Sequence, residues 1–69
     1  MARILYELYV LFYPGNRKVF ETDDSKQLLE KLQRMIDNLE QLCSELPETK
    51  EMLDIRGFRI ELTILEEDD

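Results

Sequence analysis

The chain has 69 residues, a net charge of −7, one cysteine and no histidine. That length holds one domain, 1–69, with a small core and marginal stability. The composition excludes an internal disulfide and a zinc site built from cysteine and histidine, and a lone cysteine favours a reducing compartment.

The charge is unevenly placed. Residues 1–36 carry five acids and six bases, whereas residues 37–69 carry eleven acids against Lys50, Arg56 and Arg59. A surface of about −8 in the second half disfavours direct binding of nucleic acid, whose phosphates need Lys and Arg. No run approaches the roughly 20 apolar residues of a membrane span, and Glu7 interrupts the first apolar run. The expectation is a cytoplasmic protein that touches no membrane.

The first element is a strand from Ile4 to Tyr13. One parity is Ile4, Tyr6, Leu8, Val10 and Phe12, free of charge; the other is Leu5, Glu7, Tyr9, Leu11 and Tyr13, still largely apolar. A strand apolar on both faces belongs at the centre of a sheet. Tyr13-Pro14-Gly15-Asn16 then reads as a type II turn, with Gly15 at the position that needs positive φ. Arg17 to Thr22 follows as a short, charged edge strand, antiparallel to the first.

Asp24 to about Leu46 reads as one long amphipathic helix. Leu28, Leu29, Leu32, Met35, Ile36, Leu39, Leu42, Cys43 and Leu46 form one stripe at 3.6 residues per turn. Asp24 is its N-cap, with Gln27 three residues on as in a capping box. Pro47 stops it, since the residue before proline avoids helical ψ. Glu48 to Asp54 reads as a further short helix opened by Pro47, and Gly57 as the point where the chain reverses. Phe58 to Glu66 alternates as a half-buried third strand, and Glu66 to Asp69 form an acidic tail.

The expected fold is therefore α+β, in the order β-β-α-(short α)-β. It has a three-stranded antiparallel sheet of order 2-1-3, with one long helix on one face. Leu32, Met35 and Leu39 are expected to pack on Tyr6, Leu8, Val10, Ile60 and Leu62. Nothing remains to cover the other face.

The residues of catalysis are missing as sets: Ser25 and Ser44 have no histidine base, and two glycines make no phosphate-cradling loop. No enzyme, cofactor or metal site is expected. Cys43 lies on the apolar stripe and reads as a small core residue. Two protein-binding surfaces are expected instead. One is the uncovered sheet face with Leu5, Tyr9, Leu11, Tyr13 and Leu65, where tyrosines suit an interface core. On this face Glu7 needs Arg59 or Arg3 as its partner. The other is the acidic half, with Glu48, Glu51 and Asp54, which suits the basic groove of a nucleic-acid-binding protein.

In size, acidity and lack of catalytic sets the chain resembles small phage-encoded inhibitors, anti-CRISPR proteins among them. Its hairpin–helix–strand order is similar to small phage inhibitors of bacterial RNA polymerase. The leading expectation is a non-catalytic binding module, an inhibitor or adaptor. The competing one is a structural homodimer joined sheet face to sheet face. A third, weaker reading is a small metal binder or enzyme, with a divalent cation at Glu66 to Asp69.

Overall fold

The computed structural model describes residues 2–13, 15–51 and 54–66. Strand β1 (Ala2–Phe12) and strand β2 (Asn16–Thr22) are followed by helix α1 (Ser25–Asp37), helix α2 (Leu39–Glu45) and strand β3 (Ile55–Glu66). The sheet is antiparallel in the order β2-β1-β3, so the most apolar strand is central, as its sequence requires.

The hairpin closes with the Phe12 N–H donating to the Gly15 carbonyl at 2.8 Å. The expected type II turn rests on Pro14, which lies outside the described residues. Between Leu8 and Tyr9 the pairing with β2 shifts by one residue, and Val19 is the bulged residue. The bulge rotates the strand so that Lys18 shares a face with Tyr9, and Arg17 shares the opposite face with Val10.

Asp24 caps α1 by accepting the Lys26 N–H at 2.8 Å. The capping box runs through Thr22, which sits buried beneath it. Its hydroxyl accepts the Asp24 N–H at 3.1 Å and donates to the Gln27 side-chain Oε1 at 2.9 Å. The long helix is interrupted at Asn38, whose φ of −137° and ψ of 67° are not helical. The same residue starts α2, because its Oδ1 accepts the Gln41 N–H at 3.2 Å. Leu46 is extended ahead of Pro47, as expected. Thr49, also buried, donates to the Leu46 carbonyl at 3.0 Å and closes the end of α2.

Residues 48–51 are not helical, Met52 and Leu53 lie outside the described residues, and Asp54 ends a 3-10 turn, its N–H donating to the Glu51 carbonyl at 3.0 Å. Strand β3 begins at Ile55, three residues earlier than expected. Gly57, with φ of 157°, pairs with Leu11, next to a bulge at Arg56. Glycine here serves the bulge and not a chain reversal.

The core is Leu8, Val10 and Phe12 of β1 against Leu28, Met35, Leu42 and Leu46 of the helical layer; Leu8 and Val10 are fully inaccessible. Half-buried Leu32, Leu39, Val19, Phe20 and Phe58 surround it. The helices do not reach over β3 beyond Phe58. Lys31 of α1 lies over the Phe20 ring of β2 at 5.9 Å, which places the layer above β2 and β1. Ile60 and Leu62 are therefore outside the core, contrary to expectation. The molecule is elongated, 47 × 23 × 15 Å, with a radius of gyration of 13.8 Å, against about 11 Å for a compact chain of this length.

Two truncations test this layout. Leu8→Ala empties a closed site and is expected to cost about 2–5 kcal/mol by urea unfolding. Leu62→Ala, measured on the chain diluted until it is monomeric, is expected to stay within about 0.5 kcal/mol, as at an exposed site. Equal costs would mean that the helices cover β3.

Candidate interaction surfaces

The sheet face turned away from the helices is organised in cross-strand rows. Glu7 of β1 stands between Glu21 of β2 and Glu61 of β3. Two residues along, Tyr9 stands between Lys18 and Arg59. Directly opposed like charges repel, so the glutamate row is unfavourable unless its neighbours compensate. They do: Lys18 Nζ lies 3.4 Å from Glu7 and 3.1 Å from Glu21, and Arg59 Nε lies 3.4 Å from Glu61. The Tyr9 hydroxyl donates to Glu7 at 3.4 Å, and the Arg59 guanidinium lies 4.6 Å from the Tyr9 ring centre. The Glu21 and Glu7 carboxylates hold the Lys18 ammonium above its ordinary 10.5. Partial desolvation, then the Glu7 charge, raise the Tyr9 phenol above 10.0.

This alters the expected apolar face. Leu5, Tyr9, Leu11 and Leu65 are only half-exposed, and Glu7 with its cations divides them. Tyr13 is 75% exposed but lies past the end of β1, off the patch. Glu7 is partnered by Lys18; Arg59 turns instead to Tyr9 and Glu61, and Arg3 lies 4.0 Å from Asp23. Lys18 comes to this face only through the bulge at Val19, which the alternation of β2 does not announce.

The acidic set is brought together only loosely, and two of its members serve the fold. Glu48 meets Arg17 of β2 at 3.5 Å. Asp54 Oδ2 accepts the N–H groups of Lys50 at 2.7 Å and Glu51 at 2.9 Å. Those two bonds, Glu51 first, lower the Asp54 carboxyl below its ordinary 3.8. Glu51 is exposed. Cys43 is half-buried, with its sulfur 3.1 Å from the Thr49 hydroxyl. Among the described residues no group of three or more acids, cysteines or histidines is placed to hold a metal ion. No helix among them is long and apolar enough to cross a membrane.

The bare apolar surface is on the helix side. Ile4 of β1 and Ile60, Leu62 and Ile64 of β3 all point to that face, and Leu62 and Ile64 are 60% and 67% exposed. On α1, Leu29 and Ile36 are exposed on the flank opposite Lys31, and so on the side of β3. Among the described residues the sheet beyond Tyr6 has two strands, because β2 pairs with β1 from Tyr6 to Leu11. The alternation of β3 shows in the sequence, but which strands the helices cover does not. Compared with protein-family models, with curated proteins and with solved structures, the chain matches none.

Two outcomes are expected of these contacts. Lys18→Met leaves the glutamate row uncompensated and lowers the melting temperature, and adding Glu7→Gln recovers much of the loss. A second change that recovers nothing would show that Lys18 acts through packing. The lowered Asp54 carboxyl stabilises its loop above the ordinary aspartate value, and that support is lost as pH falls through the lower folded value. The Lys50 and Glu51 amide shifts are therefore expected to titrate together with a midpoint below 3.8. Asp54→Asn abolishes that titration, and a midpoint at or above 3.8 would mean that the carboxylate does not hold the loop.

Proposed function

We propose that this chain is a non-catalytic protein-binding module, an inhibitor or adaptor working in the cytoplasm. In this reading its contact surface is the apolar stripe on the helix side of β1 and β3. One observation carries the reading. Ile4, Ile60, Leu62 and Ile64 lie together on two adjacent strands and are all exposed, beside a helical layer that stops short of them. Single exposed apolar residues are ordinary, but a contiguous set on a rigid sheet loses free energy to water that a partner restores. The outer face supports this choice, since its charges are already matched within the chain.

A photo-crosslinking residue placed at position 62, in cells that make the protein, tests this. It is expected to give a discrete cross-linked band, and the same residue at exposed Glu30 is expected to give none. No band from position 62, or equal bands from both, would overturn the reading.

A further inference from the structure

Resting on that binding surface, the geometry points to a second copy of this chain as its occupant. We infer a two-fold dimer in which β3 pairs antiparallel with β3, joining two sheets into one of six strands.

The first support is the edge itself. β3 is twelve residues long, stands at the border of the sheet, and has no strand on its second side among the described residues. Edge strands are normally blunted by proline, by inward charge or by brevity. Between Phe58 and Ile64 β3 has none of these: its helix-side residues are Phe58, Ile60, Leu62 and Ile64, and its one bulge lies at Arg56. The two-stranded end formed by Ala2–Leu5 and Thr63–Glu66 is a form that is marginal in water without a third strand.

The second support is register. A two-fold axis perpendicular to the sheet keeps both helical layers on one face and sets the residue on the axis opposite its own copy. An axis at Arg59 or at Glu61 opposes like charges. An axis at Leu62 sets Arg59 against Leu65 and Glu61 against Thr63. An axis at Ile60 sets Arg59 of each copy against Glu61 of the other. It also continues whole rows: Glu21, Glu7 and Glu61 of one copy run on into Arg59, Tyr9 and Lys18 of the second. On the helix side Ile60 meets Ile60, and Leu62 meets Phe58. Ile60 lies near the middle of β3, so this register also pairs more backbone than one at Leu62. The strand end at Thr63–Leu65 thereby gains a third strand. Leu29 and Ile36 of the two α1 helices then face each other across the seam. The surface is self-complementary in charge, in apolar content and in hydrogen bonding.

Light scattering and sedimentation of the purified chain test the inference. The expected mass is twice 8.3 kDa at micromolar concentration. Arg59→Glu and Glu61→Arg should each weaken the dimer by about tenfold, because symmetry counts each change twice. The double exchange R59E/E61R should restore it. In a Cys43→Ser background, Ile60→Cys should cross-link two copies under mild oxidation, and Leu62→Cys should not. A constant mass of 8.3 kDa, or a cross-link stronger from 62 than from 60, would overturn this pairing. A pure protein that is monomeric, yet cross-links from position 62 in cells to a protein of another mass, overturns the dimer alone. Absence of any photo-cross-link from position 62 in cells overturns the binding reading as well.

Discussion

Strand β1 is paired along both edges, and the rest of the molecule is arranged by that fact. From Tyr6 to Leu11 each residue has a partner in β2 and another in β3. Backbone groups buried in a core must find partners, and a central strand satisfies its own without help from side chains. This frees β1 to carry Leu8 and Val10, the two side chains fully closed from water. The helical layer packs where that apolar surface is densest, above β1 and the hairpin partner to which Asp23 and Asp24 tether it. It leaves β3 bare beyond Phe58.

The two faces of the sheet meet water by different means. Outside, charged residues lie over aromatic and aliphatic ones, and each cation has an acid within reach. Such exposed pairs contribute little individually. Their effect is to make the face polar although β1 is apolar on both sides. On the helix side no such screen exists beyond the helices, and Leu62 and Ile64 stand bare. The asymmetry reverses what the strand patterns alone suggest.

Much of the fold was legible in the residues: the parities of β1, the hairpin, the Asp24 cap, the stop at Pro47 and the strand order. What was hidden depends on relations between elements. A 3.6-residue period tells which side of α1 is apolar but not which strands that side covers. Asn38 breaks the helix without glycine or proline, because its own side chain rebuilds a cap. The bulge at Val19 leaves no mark in a strand whose residues alternate poorly. It alone delivers Lys18 to Glu7 and Arg17 to Glu48. Gly57 read as a turn because glycine marks bulges and turns equally well. The expected face carries a charged row through its middle because Lys18 reaches Glu7 from a strand shifted by one residue.

The pairing of β1 with β3 also governs how the molecule is made. The hairpin joins Leu11 to Asn16, a closure of a few residues, whereas β3 brings Glu66 back to Ala2. Closing that larger loop costs more chain entropy, about 2 kcal/mol by the logarithmic rule for the nearest contact, Phe12 to Ile55. Non-local pairing of this kind slows folding. During synthesis β1 and β2 can close early, but one edge of β1 stays open until residues 55–66 have been made. The central strand of the finished protein is thus an edge strand for most of its birth, and the helices are the only cover it has while it waits.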